Sequence, residues 1–163
     1  MQAIQTKFNH RHHRSRLEAR VALMLHVCGL PYHYEREGFE LNPGRFLADF
    51  WLPTLGIFVE AKGWFPTAEE IEKCQRLADN TQRRVAMICG DPGWETIVAW
   101  FFPGCDQTGY LPLPDFLMHW VTADIVMRAI DNAHSARFEF GEAPSVLPFP
   151  KRICPPRPAA KRF

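Results

Sequence analysis

Two apolar segments separated by only four residues place the strongest constraint on the fold of this chain. Residues 46–52 and 57–62 both have the composition of buried strands, and the connection Pro53–Gly56 between them is short. A connection of this length joins neighbouring antiparallel strands, because a parallel pair needs a crossover of a dozen or more residues. We therefore predict that the two segments pair side by side in one sheet.

The remaining apolar pattern predicts further helices and strands around this pair. Apolar residues recur at three- and four-residue spacing over 14–29, which predicts an amphipathic helix. Residues 32–41 alternate as a strand does, and Thr67 with Glu70 forms a capping box that begins a second helix over 67–79. The rest of the pattern predicts, in order, strands at 84–89 and 97–102, a hairpin back through 110–113, and a long helix from 113 to about 133.

This order predicts an α/β domain in which a helix precedes a three-strand antiparallel meander, a second helix and a fourth strand. The second helix crosses over and returns the chain beside the meander, so the sheet is mixed. A hairpin and a long helix are added at the C-terminal end. We expect one such domain over residues 14–142, preceded by a basic N-terminal arm at 1–13 and followed by a Pro-rich basic tail at 143–163.

Composition excludes several classes of protein. Apolar residues make up 47% of the chain and charged residues 23%, which is typical of a folded globular protein. No apolar run approaches the ~18–20 residues of a membrane helix, and the polar residues 1–20 lack the apolar segment of a secretory signal. We therefore expect a cytoplasmic protein that is not bound to a membrane and whose five widely spaced cysteines are reduced.

Charge is unevenly distributed along the chain, although the formal net charge is only +1. Residues 1–20 carry five basic side chains against one acid, residues 151–163 carry five and no acid, and the remainder holds nine basic and 17 acidic side chains. Two basic ends on an acidic body are typical of a protein that binds a polyanion, although a solubilising arm and tail would have the same pattern. The N-terminal residues that we expect to contact phosphates are Arg11, Arg14, Arg16 and Arg20.

Three charged residues interrupt the paired apolar segments. Asp49 lies in the middle of 46–52, where a carboxylate is costly to bury unless another group compensates its charge. Glu60 and Lys62 are two residues apart, so their side chains point to one face of the other strand. Pairing of the strands would place Asp49 beside Glu60, and a divalent cation would relieve the repulsion between the two carboxylates. Alone, a Glu-x-Lys pair on a solvated strand is an ordinary weak salt bridge.

Four stretches of the chain, in this order, carry a resemblance to a known family: Arg14–Arg20, Glu37–Leu41, Leu47–Pro53 and Val59–Gly63. They resemble the PD-(D/E)XK nuclease superfamily, which includes Holliday-junction resolvases and restriction endonucleases. The core resemblance covers residues 14–92, and Ala48 stands where the superfamily motif has a proline, a position that varies. The stretches that look like a phage-type subgroup are Pro66-Thr67 with Lys73, Gly90-Asp91-Pro92, and Ala136–Glu142.

The resemblance implies a restriction-endonuclease-like core and a role for each matching residue. Asp49 and Glu60 would be metal ligands, and Lys62 would position or activate the attacking water. Glu18 would be an accessory ligand from the first helix. The implied activity is that of a Mg²⁺-dependent DNA endonuclease, with Mn²⁺ as a substitute, acting on duplex or branched DNA; a resolvase would be a homodimer because two cuts are needed. The residues that would contact the scissile phosphate are Lys73 and Gln75.

Other interpretations stay open from the sequence alone. A catalytically silent protein of the same fold would bind DNA without cutting it, and a nuclease-like inhibitor would bind a protein partner tightly. Glu18 has a purely structural alternative as a helix partner of Arg14, and Glu35 and Glu37 are ordinary strand acids unless they add a metal ligand. Trp64, directly after the Glu-x-Lys segment, is the tryptophan we would test for DNA contact.

Overall fold

The computed structural model describes residues 5–138, which form ten strands and four helices. The predicted tail at 143–163 lies outside the described residues. The strands are β1 (Thr6–Phe8), β2 (Arg11–His13), β3 (His33–Tyr34), β4 (Gly38–Glu40), β5 (Arg45–Leu47), β6 (Phe50–Leu52), β7 (Ile57–Lys62), β8 (Arg84–Cys89), β9 (Ile97–Phe101) and β10 (Gly109–Pro112). The helices are α1 (Arg16–Val27), α2 (Ala68–Thr81), α3 (Leu113–Met118) and α4 (Ala123–Ser135).

A mixed six-stranded sheet forms the centre of the fold, in the order β10-β9-β8-β7-β6-β3. β6 and β7 pair antiparallel across the short connection, as predicted. β7 and β8 run parallel because α2 crosses over between them, and β8, β9 and β10 continue the sheet antiparallel. The predicted α/β class, the mixed sheet and the added hairpin are therefore confirmed.

Helices cover both faces of this sheet. On one face, α1 packs against β7 and α3 against β9 and β10, while α4 packs against α1 and α3. Their apolar side chains form one core with Ile57 and Val59 of β7. On the other face, the apolar side of α2 packs against Phe58. Side chains alternate between the two faces along a strand, so Glu60 and Lys62 lie with Phe58 on the α2 face.

A capping box begins α2 at the predicted residue. The Thr67 hydroxyl accepts a hydrogen bond from the Glu70 amide, and the Glu70 carboxylate accepts one of 2.9 Å from the Thr67 amide. The helix ends at Gln82, whose left-handed backbone conformation lets its amide bond back to the carbonyl of Ala78. The cap therefore fixes Glu70 close to the end of β7, where the candidate site lies.

The first two strands of the predicted meander are each broken in two. Glu35, at φ 45°, separates β3 from β4, and a bend at residues 48–49 separates β5 from β6. β3 and β6 stay in the sheet, while β4 and β5 pair as a hairpin that packs Phe39 and Phe46 on the α2 face. Asp49 therefore lies at a bend next to β6, and its predicted place in the middle of one long strand is wrong.

The single long helix predicted from residue 113 to about 133 is also divided in two. The amides of Trp120 and Val121 both bond to the Leu117 carbonyl, and Thr122 takes an extended conformation before α4. Val121 and Thr122 are poor helix formers, and threonine favours the N-cap position. The break lets α3 pack on the sheet while α4 packs against α1 and α3. None of the helices between residues 5 and 138 combines the length and hydrophobicity that a membrane span requires.

The predicted basic arm contains a hairpin, β1–β2, that packs on α1. Phe8 is 4% exposed, and its ring lies 5.8 Å from that of His26 and 6.1 Å from that of Phe138, measured between centroids. Burial lowers the pKa of His13, which is 1% exposed. Residues 6–13 are therefore part of the folded domain, an outcome that their mostly polar sequence did not indicate.

Replacement of Phe8 tests whether the hairpin belongs to the cooperative fold. We expect Phe8→Ala to lower the free energy of unfolding by about 3 kcal/mol, because a buried aromatic side chain is removed. Lys7→Ala, in the same strand but exposed, is the matched control and should change it by less than about 0.5 kcal/mol. Urea unfolding monitored by circular dichroism measures both. Equal stabilities for the two variants would contradict the packing described here.

Candidate metal centre

Asp49 connects the bend before β6 to the Glu-x-Lys segment of β7. Its Oδ2 accepts a hydrogen bond of 2.8 Å from the backbone N–H of Ala61, the residue between Glu60 and Lys62. Phe50 lies opposite Val59, so the next step along the strands brings Asp49 beside Glu60. The side chain of Asp49 is thus bonded to a main-chain donor of β7 at the point where β6 begins.

Lys62 lies between two carboxylates on the α2 face. Its Nζ is 3.4 Å from Oε1 of Glu60 and 3.2 Å from Oε1 of Glu70. The Glu70 carboxylate also accepts a hydrogen bond from the Thr67 amide at the start of α2. One side chain therefore both caps the helix and holds the lysine in place. Glu60 is 8% exposed, and its second oxygen, Oε2, is buried without a hydrogen-bond partner among residues 5–138.

Glu18, Glu35 and Asp49 form a group that we call the acidic cluster. One carboxylate oxygen from each lies within 4.8 Å of the other two. Glu18 is oriented by the hydroxyl of Tyr34, which donates to Oε2, and by the hydroxyl of Ser15, which donates to Oε1 at 2.9 Å. Glu35 is held by its backbone amide, which donates to the carbonyl of Asp49 at 2.9 Å.

The guanidinium of Arg14 lies against the acidic cluster. Its Nη2 is 3.0 Å from Oδ1 of Asp49, and its Nε pairs with the carboxylate of Glu35. The Arg14 side chain is 55% exposed, so it reaches the cluster from the solvent side. The Arg14 guanidinium therefore balances part of the negative charge of the three carboxylates.

Burial and the neighbouring acids make the carboxyl groups of Asp49 and Glu60 hard to ionise. Burial raises the pKa of Asp49 to about 6, with Glu18 adding to the effect and the amide of Ala61 and the guanidinium of Arg14 opposing it. Burial and the charge of Asp49 raise the pKa of Glu60 to about 8. For Lys62, burial disfavours the charged form, but Glu60 and Glu70 outweigh it and raise the pKa. A further cation would find two carboxyl groups ready to release protons.

The structure brings the residues of the predicted site together, in a different grouping. Glu18 and Asp49 share the acidic cluster with Glu35, whereas the predicted third ligand, Glu60, is not one of its members. Glu60 nevertheless lies close enough to Asp49 that ionisation of one carboxyl group makes ionisation of the other less favourable. Asp49 therefore links the cluster to Glu60 and Lys62.

Several residues predicted to contact nucleic acid have partners within the chain. Arg20 donates to the carbonyl of Ala136 and pairs with Asp91 at 2.7 Å. Lys73 pairs with Glu69 at 2.7 Å, one turn earlier in α2. These contacts are compatible with a surface role but do not place either residue at the acidic cluster.

The other predicted contact residues have varied surroundings. Gln75 donates to the carbonyl of Phe102 and to Asp79. Arg16 is half-buried at the first position of α1, and Arg11 is exposed on β2. Of the predicted N-terminal arginines, Arg11 and Arg14 are therefore both exposed, and Arg14 is also bound to the cluster.

The sequence pattern assigned no role to Tyr34 and left Glu35 as either an ordinary strand acid or an additional metal ligand. Glu35 looked like an ordinary strand acid, since nothing in the sequence marks the left-handed backbone that turns it toward Asp49. The usable signal was local: Glu35 follows Tyr34 at a strand end and is separated from a second acid, Glu37, by one residue. A pattern of two-residue alternation cannot show which of these acids faces inward.

The raised pKa of Glu60 makes a pH-dependent contribution to stability. The folded chain binds the proton of the Glu60 carboxyl group more tightly than the unfolded chain does. The contribution of Glu60 to stability is therefore greatest below pH ~4.5 and is lost as pH rises toward about 8. Glu60→Gln stays neutral and should flatten the fall in melting temperature between pH 5 and 8 in metal-free buffer. Glu72→Gln, an exposed acid of α2, is the control and should keep the wild-type slope. Identical slopes for wild type and Glu60→Gln would contradict the raised pKa of a buried Glu60 carboxyl group.

Comparison with known proteins adds no further information on the site. No protein-family model, curated protein or solved structure matches this chain. Support for a function therefore comes from the arrangement of the described side chains and from their chemistry.

Proposed function

We propose that the chain is a Mg²⁺-dependent DNA endonuclease with a PD-(D/E)XK, restriction-endonuclease-like core. The observation that carries this proposal is the hydrogen bond from the amide of Ala61 to the carboxylate of Asp49. It joins an acid beside one strand to a Glu-x-Lys pair in the next strand, the arrangement that the resemblance implies. The order of α1, the broken meander, the α2 crossover and the parallel strand β8 supports the same core.

The residues present fit a hard divalent cation. Mg²⁺ and Mn²⁺ prefer oxygen ligands, and the acidic cluster provides three carboxylates within 4.8 Å of one another. The buried Oε2 of Glu60 is an additional oxygen without a hydrogen-bond partner among the described residues. Glu18, Glu35 and Asp49 would hold the ion, with Glu60 beside them. When bound, such an ion supplies Lewis acidity toward phosphate oxygens and lowers the pKa of a water ligand.

The remaining chemistry is assigned to side chains of this chain. Lys62 is kept protonated by Glu60 and Glu70, so it would offer a fixed positive charge to a phosphate oxygen or to the attacking water. Glu70 is a positioning residue, because it acts on Lys62. Tyr34 and Ser15 orient Glu18 and would keep its carboxylate directed at the ion.

A specific observation also favours a second candidate, a catalytically silent module of the same fold. Arg14 already pairs with Asp49 and Glu35, so the cluster is partly neutralised without a metal. In such a module the arginine would replace the cation permanently. In a nuclease, Arg14 would leave the carboxylates when the ion binds and, being at the surface, would be available to a substrate phosphate. DNA binding by either protein would weaken as salt concentration rises.

Cleavage assays test the proposed activity. Wild-type protein should cut or nick DNA in the presence of Mg²⁺ or Mn²⁺ and not in EDTA. Asp49→Asn and Glu60→Gln should each reduce the rate by about 100-fold or more, because each removes a carboxylate of the proposed charge-stabilising site. Glu72→Gln serves as the matched control on an exposed acid and should cut normally. Undiminished cleavage by an Asp49→Ala, Glu60→Ala double variant would reject the assignment.

Metal titration distinguishes the nuclease from the silent module. If Arg14 competes with a divalent ion, Arg14→Gln should bind Mg²⁺ about tenfold more tightly in isothermal titration calorimetry, because it removes an opposing positive charge. Arg36→Gln removes an equal charge from an exposed residue next to Glu35 and should leave the affinity much closer to that of wild type. Failure of both variants and the wild type to bind Mg²⁺ or Mn²⁺ would favour the silent module.

A further inference from the structure

Three large aromatic side chains near the candidate site are turned to solvent. Trp64 is 77% exposed, Phe65 61% and Tyr110 48%. Among residues 5–138, Trp64 has the largest exposed fraction of any large hydrophobic side chain. Folding normally buries such side chains because they carry a large apolar area. Exposed apolar groups that lie together are typical of a binding surface, and we call these three residues the aromatic platform.

Part of the platform lies on the same face of the sheet as the candidate site. The rings of Phe65 and Tyr110 stack with centroids 5.6 Å apart and planes inclined by 21°. Tyr110 begins a row of directly opposed residues that runs across the sheet through Ala99 and Met87 to Glu60. Opposed residues share one face of a sheet, so Tyr110 and Glu60 point to the same side. The stacked pair therefore lies on the face that carries the Glu-x-Lys side chains.

Trp64 and Phe65 are also close to Lys62 along the chain. They follow it by two and three residues in the connection between β7 and α2. Since an extended chain covers at most ~3.6 Å per residue, their Cα atoms lie within roughly 7 and 11 Å of the Cα of Lys62. Bases within a few nucleotides of a phosphate at Lys62 would therefore be within reach of these two rings.

We infer that the aromatic platform stacks unpaired nucleobases beside the scissile phosphate, so that the substrate is single-stranded DNA or the single-stranded part of a branched structure. The inference rests on the proposed function, because the phosphate bound near Lys62 fixes which bases reach the platform. Aromatic side chains bind bases through their flat faces, largely without regard to sequence. In a duplex those faces are occupied by neighbouring base pairs, whereas in a single strand they are free.

The position of the rings favours a nucleic-acid strand over an apolar protein segment. A surface that binds an apolar protein segment requires only hydrophobic area. It does not require a positively charged lysine two residues away. A nucleic-acid strand requires both features, a charge for its phosphate and flat rings for its bases. Substitution by leucine separates the two cases, because leucine keeps the apolar character and removes the aromatic face.

Binding measurements without cleavage test the inference. Fluorescence anisotropy in EDTA would compare a labelled single strand of about 20 nucleotides, long enough to cover a typical single-strand site, with the duplex of the same sequence. Wild type should prefer the single strand. Trp64→Leu and Phe65→Leu should each weaken single-strand binding by about tenfold, the loss expected for one base stack, and change duplex binding much less. Phe65→Tyr should retain wild-type affinity.

A control variant and the contrary outcomes make the test decisive. Phe102→Leu changes an exposed phenylalanine that follows β9 at the opposite end of the sheet, and it should bind both probes as wild type does. Unchanged single-strand affinity in the two leucine variants, or an equal loss for duplex, would overturn the inference. If wild type cleaves DNA with Mg²⁺ but shows either result, only the platform is rejected. If the leucine variants lose single-strand binding while Asp49→Ala, Glu60→Ala still cleaves, only the metal mechanism is rejected.

Discussion

The hydrogen bond between the carboxylate of Asp49 and the amide of Ala61 is the contact on which the rest of the site depends. It places an acid from the bend beside the Glu-x-Lys segment of the central strand, and it does so in a nearly solvent-free position. A buried carboxylate needs such a donor, because desolvation disfavours its charge. The same bend turns Asp49 toward Glu18 and Glu35, so one residue belongs to both groups of charges.

The charges around Asp49 balance incompletely. Arg14 pairs with Asp49 and Glu35, and Lys62 pairs with Glu60 and Glu70, but the pKa values of Asp49 and Glu60 are both raised. A set of acids that served only to stabilise the fold would be expected to gain full partners, because buried carboxylates whose charge is only partly balanced cost stability. This loss of stability would be explained if a cation binds at the site in the functional protein.

Nearby parts of the fold support this arrangement. The capping box of α2 fixes Glu70 against Lys62, so the start of a helix and the position of a candidate catalytic group depend on one side chain. Tyr34 and Ser15 hold Glu18 from two directions. Beyond Lys62 the chain exposes Trp64 and Phe65, and the charged site and a flat apolar surface become neighbours. Together these features are the ones that the proposed function requires, a charged site for a phosphate and flat rings for the bases next to it.

Much of the fold and of the candidate site could be predicted from the sequence. The four-residue connection required β6 and β7 to pair, and pairing brought Asp49 beside Glu60; the capping box located α2; and the apolar run at 84–89 located β8. Those predictions depend on short-range chain geometry and on periodicity, which the residues themselves express. The left-handed Glu35, the ion pairs of Arg14, the folded hairpin at 6–13 and the break before α4 depend on contacts between distant segments. Only tertiary packing decided these, because a local pattern cannot show which polar group a remote side chain will reach.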